Sequence, residues 1–418
     1  MKPTYSLLLL IFSLSTVHAQ SDYARNGILD LREWNFEDQG YVELNGEWEF
    51  FMSQLLTQRQ LDGSDGVISD YVDFPSTWNE LSKSLNPGNG FGTYRLRALI
   101  TAPQQLALEI PHFYSNYTLW INGEKVASNG KVGETKEQSE PQWLPQTVMF
   151  DARQDTLDIL IHVSNFHHAK GGVREPLRLG TKNELLDKRE IAVTSNAVTS
   201  GGLVIIAFAF IIIYFFKPAS SALYFAALCL TWALRECFSN LYIVTAAYPD
   251  FPWDVSLRIE YITLYLTMIW AAMFFASIFP NDVSSLFKYL FVACNLIFLV
   301  FTLLARTSFF TQFLPVYLSI AAVLLMYFIY VIIHAVVNDR KGVWFMISCM
   351  MLGIIVFSYD LISYEGFASY SPLVINIGYL AMFLLTALCL CIQYGFIKRA
   401  AGNSDMLTYE DLYGSSRK

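Results

Sequence analysis

The chain has 418 residues, of which 54% are hydrophobic, 16% aromatic and only 15% charged, a balance that excludes a wholly soluble protein. Its formal net charge of −8 and pI near 5.3 come without any Lys/Arg stripe, which excludes the electrostatic footprint of a nucleic-acid binder.

Residues 1–19 read as a secretory signal. Lys2 supplies the positive start, Leu7 to Leu14 the apolar core, and Val17-His18-Ala19 a small-residue cleavage site. That core is too short to span a bilayer. All six cysteines (Cys229, Cys237, Cys294, Cys349, Cys389 and Cys391) fall in the apolar C-terminal half. The exported portion therefore has no disulfide to make and must hold together by burial alone.

Between Gly27 and Gly180, short runs with strand-type alternation are separated by turn residues: 41–51 (YVELNGEWEFF), 92–100 (GTYRLRALI), 106–110 (LALEI), 116–121 (NYTLWI) and 156–163 (TLDILIHV). Asn45-Gly46 and Asn122-Gly123 are turn dipeptides, and the second, followed by Glu124-Lys125-Val126, predicts a hairpin. The pattern predicts an all-β sandwich of about 150 residues with two inner faces built from alternate residues.

The stretches GEWEF (46–50), FPSTWN (74–79), GTYRL (92–96), YTLWING (117–123) and LIHVSNFHHAKGGVREPLRLG (160–180) resemble the sugar-binding jelly-roll domain found at the front of family-two glycoside hydrolases and in certain bacterial receptors. The resemblance implies a jelly roll in which the tryptophans and the Asn-Gly turn are structural. It does not bring hydrolysis with it: Glu47 and Glu49 sit two apart on one strand face with no partner for acid and base work. No catalytic residue is expected.

The exported segment concentrates ligand-type side chains in one place. Asn165, His167, His168, Lys170 and Arg174 follow the last long strand, and His112, Tyr114 and Asn116 join them across a sheet. Aromatic rings with Asn, His and Arg suit a hydroxyl-rich or carboxylate ligand, stacking on its face and hydrogen-bonding its edge. Packing of this loop against its own domain or the membrane is the competing expectation. The histidines have no spacing that fixes zinc, so no metal and no cofactor is expected.

Residues 182–199 form a polar connector of helical composition. Seven apolar runs follow, at 200–216, 220–244, 259–279, 286–305, 313–337, 343–364 and 372–397, each about long enough to cross a ~30 Å hydrocarbon core at 1.5 Å per residue. Loops on one side hold Lys217, Lys288, Arg340, Lys341, Lys398 and Arg399, against Arg258 and Arg306 beside Asp250, Asp254 and Glu365 on the other. The positive-inside rule then sets the sandwich outside and the C-terminus in the cytoplasm, and the resemblance to bacterial receptors implies a bacterial inner membrane. The fold class is a membrane-embedded seven-helix bundle carrying an exported all-β jelly-roll sandwich.

Arg235, Glu236, Glu260, Asp360 and Asn376 fall near one level, in the outer third of the bilayer. Charged groups in lipid cost roughly 2.5–3.5 kcal/mol each, so they should turn inward and pair, Arg235 with Asp360 or Glu260. Such a network either carries a signal or pins the helices statically.

Seven spans behind an exported sandwich resemble the bacterial seven-transmembrane receptors with diverse intracellular signalling modules. The resemblance implies a receptor for an extracytoplasmic small molecule, carbohydrate-like in the first instance. It also implies an output module after the seventh helix, commonly a histidine kinase, a cyclase or a phosphatase. Only the polar tail 400–418 follows Arg399, too short for such a domain, so the output is expected to be missing from this chain or held by a cytoplasmic partner enzyme. A homodimer is also expected, because such modules work as dimers. The resulting organisation is 1–19 signal, 20–181 sandwich, 182–199 connector, 200–397 bundle and 398–418 tail. A transporter or accessory subunit with an exported binding domain is the alternative, though the internal repeats and broken midplane helices it calls for are not evident.

Overall fold

The computed structural model describes residues 23–63, 70–81, 88–101, 103–338, 343–364 and 371–394. The expected signal segment and tail, with Arg340, Lys341, Glu365, Lys398 and Arg399, lie outside the described residues.

Among the described residues the N-terminal half contains thirteen short strands: β1 Ile28–Asp30, β2 Val42–Glu43, β3 Gly46–Met52, β4 Asp70–Phe74, β5 Gly90–Leu99, β6 Gln104–Ile110, β7 Phe113–Tyr114, β8 Asn116–Ile121, β9 Glu124–Asn129, β10 Gln146–Ala152, β11 Thr156–Asn165, β12 Gly172–Val173 and β13 Arg178–Thr181. One sheet has the order β4-β3-β5-β11-β8-β9 with β1 added alongside β5, and the facing sheet has the order β10-β6-β13-β2. The alternation is literal along β5, where Tyr94, Leu96 and Ala98 are buried in the core while Arg95 and Arg97 turn outward to Asp158 and Glu49. Between the sheets Trp48 stacks on Phe74 with centroids 4.1 Å apart, and the Trp78 indole N–H donates to the Tyr94 hydroxyl at 2.7 Å. Burying these rings gives the sandwich its main stabilisation in place of disulfides.

The two Asn-Gly dipeptides differ in use. Asn122 and Gly123 both take positive φ, 50° and 81°, and close the β8–β9 hairpin as expected. Asn45-Gly46 instead carries the chain from one sheet to the other, between β2 and β3. Gly46 has φ +127° and lies flat on Ala24, whose backbone N and O occupy the space a Cβ would need.

The C-terminal half is helical. We label the long helices α1 Lys182–Phe216, α2 Ser220–Phe238, α3 Trp253–Ile278, α4 Ser285–Leu304, α5 Leu314–Val337, α6 Val343–Tyr364 and α7 Pro372–Gln393. Five of them are long and apolar enough to cross a membrane, and α2 and α6 complete the seven-helix bundle. The connector and the first span prove to be one helix. Thr181, the residue that ends β13, caps α1, and the helix then runs 35 residues without a break. At 1.5 Å per residue that is about 52 Å, far more than a hydrocarbon core of ~30 Å, so its first turns stand clear as a stalk.

The second span is shorter than the apolar run 220–244 implied. Asn240 and Tyr242 adopt left-handed φ of 57° and 47°, so the chain turns after Phe238 into a separate short helix, Ile243–Ala247. Arg235 consequently stands in the last turn of α2. At the bundle's far end Lys217 donates to the Tyr394 carbonyl at 2.9 Å and Ser221 bonds the Tyr394 hydroxyl at 2.6 Å. The sandwich and the C-terminal end of α7 thus occupy opposite ends of the bundle.

The sheet-switching corner gives the first prediction. Gly46→Ala should cost about 2 kcal/mol through backbone strain and a clash that no side chain can relieve. It should lower the thermal midpoint of the full chain, whereas Gly63→Ala, with open space around it, should leave the midpoint unchanged.

Candidate functional site

The loop after β11 is shaped by one buried amide. The Asn165 side chain donates to the carbonyls of Gly88, His168 and Lys170 at 2.7–2.8 Å and accepts from the amides of His167 and His168 at 3.2 and 3.0 Å. Asn116 plays a similar part in β8, donating to Ser139 Oγ at 2.8 Å and accepting from the Ser164 amide and hydroxyl. His167 bonds the Ser139 carbonyl at 3.1 Å. These three residues hold the loops, and none of them lines the cavity described next.

That bracing presents His112, Tyr114, His168, Lys170 and Arg174 to a cavity of about 270 Å³ between the base of the sandwich and the end of the bundle that faces it. His168 stacks on Tyr114, centroids 4.9 Å apart and planes within 7°. Trp143, 5% exposed, stands at the centre of the rings, 5.0 Å from His112, 5.3 Å from His168, 5.6 Å from Tyr242 and 5.8 Å from Trp253. Its indole N–H faces the cavity without a hydrogen-bond partner among the described residues. Trp143 and Tyr242 escaped the sequence reading because they lie in irregular segments with no periodicity, and Trp253 because it opens α3 ahead of the apolar run 259–279. The one usable signal was a Trp between Pro141 and Pro145 in a polar loop.

The domains are joined by direct bonds around this cavity. Gln142 donates to the carbonyls of Pro249 and Phe251, the Ala169 amide donates to Thr311, and the Tyr41 amide donates to Glu184 on α1. Lys188 and Arg189 of α1 reach Glu109 at 2.8 Å and the Pro145 carbonyl at 3.0 Å. Arg178 is shared by Glu43 and Glu109. Burial pushes the Glu109 carboxyl up, but Arg178 and Lys188 more than offset it, and the group ends below its ordinary range. Burial pushes the Glu175 carboxyl up, against the charge of Arg178.

The bundle supplies the floor. Arg235, Glu236, Glu260 and Asp360 all line the cavity, with Trp232, Tyr242 and Tyr379 among them. Arg235 makes no ion pair with Asp360 or with the Glu260 side chain among the described residues. From the last turn of α2 its guanidinium reaches α3 and donates to the Glu260 main-chain carbonyl at 2.8 Å. Each carboxyl is met by a neutral donor instead: Glu236 by Asn196 at 2.8 Å, Asp360 by the Tyr379 hydroxyl at 3.0 Å, and Glu260 by Tyr242 at 3.5 Å. Asn376 stands apart, donating to Ser195 and accepting from Thr199 through its carbonyl, so it ties α7 to α1. Among the described residues no group of three or more His, Cys, Asp or Glu side chains could hold a metal ion.

Residues 194–393 match the 7TM diverse intracellular signalling family. The match covers the helical part of the chain, 200 of its 418 residues. The sandwich is similar to parts of solved enzymes: a GH2 β-galacturonidase from Eisenbergiella tayi bound to glycerol (15% identity, 34% of this chain and 24% of that one, TM-score 0.25), a Faecalibacterium prausnitzii β-glucuronidase (11%, 33% and 31%, 0.26) and a Parabacteroides merdae β-glucuronidase with glycerol in its active site (15%, 33% and 21%, 0.27). This chain thus spans no more than 31% of the length of any of these three. No curated protein matches it. The cavity lies where the sandwich meets the helices that match this family, lined from both sides.

The histidines of the joint carry a pH dependence. Burial, helped by the charge of Arg174, lowers His112 to about 4. Burial also lowers His168, to about 3, against the bond from its ring to the Lys170 carbonyl. Folding thus requires both rings neutral. Their contribution to stability is complete above the ordinary value of 6.5 and is lost as pH falls from there toward about 4. The thermal midpoint should drop between pH 7 and pH 5, and the His112→Gln, His168→Gln double variant should flatten that dependence.

Proposed function

We propose that this chain is a transmembrane signalling receptor whose ligand site is the cavity between sandwich and bundle. The observation that carries the reading is the convergence of two residue sets on one space: His112, Tyr114, His168, Lys170 and Arg174 from the sandwich, and Arg235, Glu236, Glu260 and Asp360 from the helices. A molecule held there touches both domains at once, so its binding energy depends on their relative placement. That dependence is what a receptor needs in order to bias one arrangement over another. About 270 Å³ suits a molecule of monosaccharide or amino-acid size, just below the usual range of drug-sized pockets.

In this reading residues 20–181 form the periplasmic sensor behind the signal segment 1–19, 182–199 the stalk, and 200–397 the spans of an inner-membrane protein. The tail 398–418 reaches a cytoplasmic signalling enzyme, a histidine kinase or a cyclase, and the receptor works as a homodimer. The lysines Lys217 and Lys288 at the end away from the sandwich support this orientation.

Two measurements test it. Protease added to intact spheroplasts should digest the sandwich and spare a tag placed after Lys418; loss of that tag would overturn the orientation. Calorimetry of the full chain in nanodiscs against sugars and small amines and acids should find a binder, and Trp143→Ala should weaken it by ~1.5–3 kcal/mol through loss of ring packing. A broad panel giving no heat with folded protein would count against the site.

A further inference from the structure

The floor of the cavity is short of positive charge. Among the described residues of α2, α3 and α6, Glu236, Glu260 and Asp360 line it beside one cation, Arg235, and that guanidinium is bonded to a main-chain carbonyl. The donors that reach the three carboxyls, an asparagine amide and two tyrosine hydroxyls, are neutral. A carboxylate accepts up to about four hydrogen bonds, so each has lone pairs to spare. Ser363 supplies an independent observation. It stands three residues after Asp360 on α6, on the same helix face, and is 6% exposed. Its hydroxyl lines the cavity with no hydrogen-bond partner among the described residues. The rings of Trp232, Tyr242 and Tyr379 surround this end of the cavity. At membrane depth, buried negative charge without a matched cation is costly, and aromatic faces attract cations.

From this geometry we infer that the ligand is a primary amine that enters as an ammonium ion and seats that group against Asp360 and the Ser363 hydroxyl, at the floor that Glu236 and Glu260 also line. The inference rests on the cavity being the ligand site. The N–H bonds of an ammonium suit carboxylate oxygens and a hydroxyl acceptor, the groups this floor offers. The other end of the ligand lies against the sandwich, where the Trp143 indole N–H and the cations Lys170 and Arg174 face it. That end therefore carries hydrogen-bond acceptors: hydroxyls, as in an amino sugar, or a carboxylate, as in an amino acid.

Matched probes isolate the amine. The full chain, held in phosphatidylcholine nanodiscs that contain no primary amine, is titrated calorimetrically with glucosamine against glucose and N-acetylglucosamine, and with 6-aminohexanoate against 6-hydroxyhexanoate. At least one amine should bind about ten-fold or more tightly than its uncharged partner, the worth of one charge-assisted bond. The Asp360→Asn, Glu260→Gln double variant should abolish that preference, and Asp360→Glu should retain most of it, with thermal unfolding showing that each variant is folded. Replacing part of the lipid by phosphatidylethanolamine separates the sources of the amine. Suppression of soluble-amine binding that disappears in the double variant supports the ammonium seat and assigns it to a lipid headgroup.

Equal binding within each pair, or an amine preference that survives the double variant, overturns the ammonium seat while leaving the cavity as the site. Silence from every probe in both lipids, with folded protein, overturns the cavity reading and this inference together.

Discussion

The sandwich cannot move independently of the bundle, because the last strand of its smaller sheet becomes the first helix without a linker. Thr181 ends β13 and caps α1 in the same residue. A flexible connector of similar length would let the two domains drift and would separate the surfaces that enclose the cavity. A continuous helix fixes both their distance and their angle. Side chains on its first two turns reinforce the junction, since Glu184 accepts from the Tyr41 amide and Lys188 reaches Glu109. The rest of the joint is organised around that fixed edge.

The remaining contacts are of a different kind. Away from α1 the domains touch through loops, with Gln142 on the turn before α3 and Ala169 on Thr311, and through the rings around Trp143. Hydrogen bonds of this kind are worth about 0.5–1.5 kcal/mol each, and ring contacts of the type made by Trp143 about 0.5–1.5 kcal/mol beyond their burial. The joint therefore has one stiff side and one side held by a few small terms, with the cavity between them. His112 and His168 belong to the second side, so protonating them loosens the loop contacts and leaves the α1 junction untouched.

Much of this was legible in the sequence, for physical reasons that can be named. Period-two alternation gave β5, β8 and β11 nearly to the residue, because one face of each is in a core that tolerates no charge. The Asn122-Gly123 hairpin followed from its need for two positive φ values. Long apolar runs gave the bundle, since nothing else satisfies the backbone in lipid. Asn45-Gly46 is a turn as read, but the dipeptide does not say which sheet the next strand joins, and the run 41–51 divides there between β2 and β3. Arg235 misled because charge pairing was judged from depth alone. A guanidinium is also satisfied by carbonyl oxygen, and the break at Asn240 and Tyr242 set α2 at the height where the Glu260 carbonyl comes within reach. The cavity itself could not be read, since it needs residues near 112, 143, 170, 235 and 360 to be neighbours, and no local pattern records that.

The uneven joint also bounds what a bound molecule can do. A ligand shifts two arrangements only by the difference in its affinity for them, and a shift from 1:99 to 99:1 takes about 5.5 kcal/mol. The loop side of the joint is held by a handful of terms near 1 kcal/mol each, which is within the range of a single well-bound small molecule. The α1 side is not, since breaking a continuous helix at its junction would forfeit the cap, the Glu109 ion pair and several backbone bonds together. Any ligand-driven change at this site is therefore a pivot about α1 that opens or closes the loop side. The helices it moves first are those whose sandwich-facing ends line the floor, α2, α3 and α6, with Arg235, Glu260 and Asp360 travelling on them.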